Sequence, residues 1–89
     1  MTDEELWQEL TGLLDRLSIR LILEKHLRGD GDLCRVEDRQ IVVLNHRLPL
    51  AARNAKLLAL LRRHAPAREL EQMFVKPQVR QLLEAAAES

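Results

Sequence analysis

The chain has 89 residues, equal numbers of basic and acidic residues, and 46% hydrophobic residues. Its length predicts a single domain over residues 1–89, and its hydrophobic content excludes a disordered chain. A net charge of zero disfavours binding of nucleic acid through bulk charge alone.

The acidic N-terminus lacks the basic and apolar regions of a signal peptide, and no apolar run approaches the roughly 20 residues that span a bilayer. We therefore expect a cytoplasmic protein. Cys34 is the single cysteine and cannot form an intramolecular disulfide. We interpret it as a small buried hydrophobic residue within a strand.

The first residues predict a helix. Thr2 and Glu5 have the spacing of a capping box, in which each side chain bonds the backbone N–H of the other residue. Gly12 lies inside this helix and indicates a position of close packing. Apolar residues then recur at helical spacing and form one stripe: Leu6, Trp7, Leu10, Leu13, Leu14 and Leu17.

Residues 18–48 predict a three-stranded antiparallel meander. Residues 19–25 alternate between an apolar face and a mostly polar face, as expected for a strand with one face on a core. Asp30-Gly31 is a strong hairpin signal, because Gly tolerates the positive φ of such turns. Residues 33–36 form the second strand and residues 37–39 the next turn. Residues 40–44 are the most β-prone run and predict the central or best-buried strand.

The remainder predicts two or three helices. Pro49 favours a helix start, and the helix over residues 49–64 has an apolar surface wide enough to touch both the sheet and another helix. Residues 68–74 predict a short helix with Leu70, Met73 and Phe74 inward. A last helix runs from Pro77 to about residue 86, with one apolar face: Val79, Leu82, Leu83 and Ala86. The prediction is an α+β fold: an N-terminal helix, the meander, and helices packed on one sheet face.

Charge is unevenly distributed along the chain. Residues 1–15 carry five acids and no Lys or Arg, whereas residues 16–64 carry a net charge of +6. This segregation favours self-association between unlike surfaces, or pairing of the first helix with the basic middle. The basic middle also leaves open nucleic-acid binding, although the sheet has no aromatic residue on which bases could stack. The residues concerned are Arg16, Arg20, Lys25, Arg28, Arg35, Arg39, Arg47 and Arg53.

Cys34, His26 and His46 are the residues that could carry chemistry. Imidazole and thiolate are zinc ligands, but structural zinc sites place their ligands in close pairs, and here the gaps are wide. A small enzyme that uses Cys34 with one of these histidines, and Glu24, stays open as an alternative. The acids at residues 30 and 32 are too few for a calcium loop, so we interpret residues 29–32 as a turn.

Three stretches resemble a group of short bacterial proteins with no assigned function: GDGDLCRVEDRQIVVLNHRLP, the Leu-rich helix after it, and MFVKPQVRQLLEAA. That group shares a G-x-G-x-LCR strand and a PxxR ending. The resemblance spans most of residues 18–86 and implies no activity. The matching residues are Gly29, Gly31, Leu33, Cys34, Arg35, Asn45, Pro77 and Arg80.

A weaker likeness concerns architecture. The strand ending IVVLN and the helix ending LLRRH resemble the core of ImmA/IrrE-type zinc peptidases, in which a strand precedes an H-E-x-x-H helix. If His64 is the second histidine of that motif, Leu60 and Leu61 replace the first histidine and the glutamate. This likeness implies that the chain lacks a zinc ligand and the general base, so it could not carry out that reaction.

These patterns predict a non-enzymatic protein-interaction or assembly module that self-associates, most simply as a homodimer. We assign no catalytic, cofactor-binding or metal-binding residue and expect no membrane partner. The predicted interaction surface consists of Leu57, Leu61, Arg35, Arg53 and Arg80.

Overall fold

The computed structural model describes residues 1–65 and 67–87, without the side chains of residues 67, 86 and 87. The predictions for the inward face at Ala86 and for the domain end at Ser89 lie outside this part. The elements confirm an α+β fold with one N-terminal helix, three strands and C-terminal helices. They are α1 (Asp3–Arg16), β1 (Ile19–Glu24), β2 (Gly31–Val36), β3 (Arg39–Asn45), α2 (Leu50–His64), α3 (Ala67–Gln72) and α4 (Pro77–Ala87).

The sheet is mixed, so the predicted antiparallel meander is wrong. The strand order is β1-β3-β2, with β1 parallel to β3 and β2 antiparallel to β3. The expectation that the IVVL strand is central is confirmed. The predicted hairpin at Asp30-Gly31 does not form, because β1 and β2 lie on opposite sides of β3.

Asn45, the last residue of β3, explains this strand order. Its side-chain amide donates to the carbonyls of Leu27 at 3.1 Å and Gly29 at 2.9 Å, and its backbone N–H donates to the carbonyl of Asp30 at 2.8 Å. The β1–β2 loop is therefore held across the end of β3. The next backbone N–H, that of His46, donates to the carbonyl of Glu24 at the end of β1.

Gly31 lies where this loop enters β2. Its φ of +138° is one that residues with a Cβ rarely adopt. A Cβ at this position would overlap the carbonyl oxygen of Val43 and lie 2.9 Å from Cα of Leu44. Gly31 therefore permits the close approach of the loop end to the central strand.

The core lies between the helices and one face of the sheet. Val42 and Leu44 of β3 are 1% and 0% exposed, and Ile19 of β1 is also buried. Val75, between α3 and α4, is also buried, and the helices contribute the other buried apolar residues, which confirms that they pack on one sheet face. Those helical core residues are Leu10, Leu13, Leu14, Leu57, Leu60, Leu61, Val79 and Leu83.

The N-terminal cap forms as predicted. The N–H of Glu5 donates to Oγ1 of Thr2 at 3.1 Å, and the N–H of Thr2 donates to Oε1 of Glu5. The hydrogen bonds from the Thr2 hydroxyl and backbone N–H lower the pKa of Glu5.

An exposed ion pair of 2.8 Å between Lys76 and Glu9 links the start of α4 to α1. The hydrogen bond to Glu9 raises the pKa of Lys76.

Three details of the predicted helices are wrong. Phe74 is 76% exposed, because α3 ends at Gln72, before the turn that would direct Phe74 inward. Leu82 is 38% exposed, because α4 directs Val79 and Leu83 to the core instead. Gly12 is not a close-packing position, because a Cβ built on it meets nothing within 4 Å.

We expect Gly31→Ala to destabilise the fold by more than about 2 kcal/mol, because the new Cβ overlaps β3 and the backbone is strained. Gly12→Ala is the matched control, and it should stabilise the protein by about 0.5–1 kcal/mol through helix propensity. Urea unfolding of both variants measures these changes. Equal stabilities of Gly31→Ala and the wild type would contradict the account of the β1–β2 loop.

Candidate functional site

The strand register separates Cys34 from the two histidines. Cys34 pairs with Ile41 in the middle of the sheet, whereas His26 and His46 follow the carboxyl ends of β1 and β3. The four residue steps of extended strand from Ile41 to Asn45 span about 13 Å. The histidines lie near strand ends, as predicted, but the sheet does not bring Cys34 to them. The expectation that Cys34 is buried is wrong, because its side chain points away from the helices and is exposed.

Within the described residues, no group of three or more His, Cys, Asp or Glu side chains could hold a metal ion. His64, the residue that aligns with the second peptidase histidine, has a buried Nε2 with no hydrogen-bond partner in the described part of the chain. Leu60 and Leu61, at the two other motif positions, are 3% and 2% exposed and belong to the core.

Leu57 and Leu61 do not lie on a surface. They are 0% and 2% exposed, because the wide apolar arc of α2 is covered by α1, α4 and the sheet. Their placement in the interaction surface is therefore corrected: these side chains hold the fold together. A charge at either position would be buried without a partner, which unfolds small domains.

Arg53 has a structural position at the start of α2. Its Nε donates to the carbonyl of Leu48 at 3.0 Å, and Nη2 donates to the carbonyl of His46 at 2.9 Å. Its guanidinium carbon lies 5.6 Å from the centroid of the Trp7 ring, within the range of cation–π attraction. Arg53 therefore donates hydrogen bonds to two carbonyls of the β3–α2 connection and at the same time contacts Trp7 of α1.

Arg80 and Arg35 differ in their surroundings. Nη2 of Arg80 lies 3.4 Å from the carbonyl of Leu70 and 3.5 Å from that of Met73, so its charge faces the end of α3. Arg35 is exposed, and no ion pair joins it to any acid in the described ranges. Of the predicted surface residues, Arg35 is the one that the fold leaves open to solvent.

The sheet has a second face, which we call the outer face, opposite the helices. Alternation along the strands and the register of β3 place ten residues on it. None of them packs against the buried cluster in the part of the chain described here. They are Arg20, Ile22 and Glu24 of β1, Asp32, Cys34 and Val36 of β2, and Arg39, Ile41, Val43 and Asn45 of β3.

The middle of the outer face is apolar. Ile22 pairs with Val43, and Ile41 pairs with Cys34, so these four side chains adjoin across the three strands. Val36 extends the apolar strip at one end and is 55% exposed. Ile22, Ile41 and Val43 are half-buried, and none of them belongs to the buried core cluster in the described residues.

The outer face carries charges of both signs. Arg20 and Arg39 lie near the start of β1 and β3, Glu24 lies at the end of β1, and Asp32 lies beside Val43 near the middle of the face. All four side chains are exposed.

The eight basic residues of the middle segment do not line one surface, since Lys25, Arg28 and Arg47 occupy loops at the end opposite Arg20 and Arg39. Two further cations bind backbone carbonyls: Arg16 that of Phe74, and Arg53 those described above.

A cleft of about 270 Å³ lies between the end of α2, α3 and α4. Leu70, Val75 and Leu83 form its apolar walls. Two arginines and two glutamates surround these walls: Arg62, Arg80, Glu71 and Glu84. Their charges balance, so the cleft does not favour one class of ligand.

One signal in the sequence points to the outer face as well as to the central strand. The run from Ile41 to Leu44 is apolar at every position, whereas a strand with one solvated face alternates. The run therefore indicates apolar side chains on both faces of β3, in addition to the central place in the sheet that it predicts.

The chain has no significant match among protein-family models, curated proteins or solved structures. The resemblances to the short bacterial proteins and to the zinc-peptidase core therefore stay predictions.

In the described residues, no helix has the length and hydropathy needed to cross a membrane.

We expect Arg53→Ala to lower the free energy of unfolding by about 1–3 kcal/mol, because it leaves the carbonyls of His46 and Leu48 without their charged donor. Emission from Trp7, the single tryptophan, should change in the native state as its ring loses the guanidinium. Lys56→Ala removes a cation from the same helix and serves as the control. Unfolding of Arg53→Ala at the wild-type urea midpoint would rule out this role.

Proposed function

We propose that this chain is a non-enzymatic assembly module of the bacterial cytoplasm that self-associates through the outer face of its sheet. The observation that carries the proposal is the uncovered strip formed by Ile22, Ile41 and Val43. These side chains occupy adjoining strands, and the helices cover only the opposite face of the sheet.

The composition of β3 supports this use of the outer face. Strands that are apolar on both faces occur mainly in sheets with a layer on each side. β3 has Val42 and Leu44 against the helices, and Ile41 and Val43 on the other side. One chain supplies one of the two layers, and a second protein surface would supply the other.

The size of the chain supports association as well. A domain of 89 residues buries only about 60–65% of the surface that its unfolded chain exposes, so its stability is limited. Burial of further apolar area stabilises the folded state by about 25 cal/mol for each Å². Association through the outer face would add such burial without a change in the core.

The enzyme and nucleic-acid alternatives have less support. An enzyme built on Cys34 needs a base within hydrogen-bond reach, and the register places His26 and His46 beyond the strand ends. A nucleic-acid surface needs cations on one face, with stacking groups between them for single strands. Here the cations are divided between the two ends of the sheet, and Trp7 and Phe74 lie outside it.

Molar mass by light scattering, measured through a hundredfold dilution from about 1 mM, tests the proposal. We expect the mass to rise from 10.3 kDa towards twice that value as concentration increases. Ile22→Glu should keep the mass near that of the monomer, because it places a charge in the apolar strip. Cys34→Glu tests the same strip at an exposed edge-strand position if Ile22→Glu does not fold.

Ala59→Glu is the matched control, since Ala59 is exposed on α2, on the helical side of the protein. It should associate like the wild type. The proposal fails if the wild type is monomeric at every concentration, or if Ala59→Glu and the outer-face variants lower the mass equally.

A further inference from the structure

We infer that two copies pack outer face to outer face with their strands antiparallel, so that Arg20 of each copy faces Glu24 of the other. The two-fold axis lies between the sheets and perpendicular to the strands. This inference rests on the proposed function and specifies the partner, the orientation and the residues that select it.

The polarity of the outer face is the first argument. Arg20 and Glu24 lie four residues apart on the same face of β1, and both are exposed. On the neighbouring strands, Arg39 lies beyond the level of Arg20, and Asp32 lies at the level of Ile22, midway between the two charges of β1. Ile22 and its neighbour Val43 lie between those two charges. A surface with this pattern is complementary to itself after a rotation that exchanges its ends.

Symmetry selects between the two ways of stacking the sheets. A two-fold axis along β3 exchanges the edges of the sheet, so β1 of each copy lies over β2 of the other, Arg39 lies over Arg39, and Glu24 lies beside Asp32. An axis across the strands at Ile22 places β1 over β1, so Arg20 of each copy lies over Glu24 of the other, and this pair forms twice in the dimer. Like charges held opposite each other cost several kcal/mol, so the second arrangement is favoured.

Pairing through the free edge of β2 is the competing route to a dimer. In an antiparallel pair, every second residue directs its N–H to the partner strand. Asp30 is hydrogen-bonded to Asn45 of β3, so Leu33, three residues later, directs its N–H to the open edge. That N–H donates at 2.8 Å to the carboxylate of the preceding residue, Asp32. A charged side chain bonded to an edge donor is a known protection against strand addition. The edge of β2 is therefore less available than the outer face.

The outer face is small, which sets the expected strength. Three strands about 4.8 Å apart and six or seven residues long give a face of roughly 14 by 20 Å. Standard interfaces bury about 800 Å² on each partner, so this one is at the weak end. We expect association to need high protein concentration and to weaken with added salt, because its selectivity comes from exposed charges.

Charge reversal on β1 tests the orientation. Arg20→Glu alone and Glu24→Arg alone should each weaken association by about tenfold or more, since each places like charges opposite one another. The double variant Arg20→Glu with Glu24→Arg should associate more strongly than either single variant, because the exchanged pairs form again across the axis. Sedimentation at several concentrations measures the affinities, and circular dichroism verifies that each variant is folded.

Mixing the double variant with the wild type separates the two orientations. Native mass spectrometry at low salt measures the share of mixed dimers. With antiparallel strands, unlike copies bring equal charges together on β1, so the two proteins should form mostly homodimers. With parallel strands, β1 of each copy lies over β2 of the other, so the exchanged charges do not meet, and mixed dimers at the statistical share would overturn the inference.

The remaining outcomes separate this inference from the proposed function. A wild type that dimerises, with affinity unchanged by both single reversals and by salt, overturns the charge-selected orientation but leaves self-association standing. A wild type that remains monomeric overturns both. Recovery of affinity in the double variant, together with self-sorting from the wild type, supports both.

Discussion

The hydrogen bonds of Asn45 fix the topology on which the rest of this structure depends. Its amide binds the carbonyls of Leu27 and Gly29 and its backbone N–H binds Asp30, so the segment after β1 crosses the end of β3 instead of turning back on itself. β1 then lies parallel to β3, and β2 lies on the other side. Gly31 makes the crossing possible, because the loop approaches β3 where no Cβ fits. The most apolar strand is thereby placed in the centre of the sheet.

β3 has apolar residues on both of its faces, and the helices of this chain cover only one of them. Its inner residues, Val42 and Leu44, are covered by the helices. Ile41 and Val43 face the other way, beside Ile22 of β1. On the same face, Arg20 and Glu24 place opposite charges towards the two ends of β1. The proposed assembly follows from these two consequences of one strand order: an apolar strip that gains from burial, and a charge pattern that is complementary to its own reverse.

Local patterns in the sequence predicted the helices and strands well. They did not predict which strands pair, because pairing depends on residues far apart in the chain. The capping box at Thr2 formed as expected, because its donors and acceptors lie within one turn. The hairpin signal at Asp30-Gly31 failed, because strand partners are chosen by burial and by bonds from residues far along the chain, here Asn45. Leu57 was misplaced on a surface for a similar reason: the width of an apolar arc does not reveal how many neighbours cover it. Cys34 was expected inside, and the face to which it points depends on the register.

Methyl NMR spectra recorded through a dilution series test most directly whether the outer face is the surface that self-associates. The account predicts that the methyl resonances of Ile22, Ile41 and Val43 move together with concentration. Those of Leu57 and Val79, which lie in the core, should stay in place. Movement confined to residues of α4, or spectra that are identical at every concentration, would contradict it.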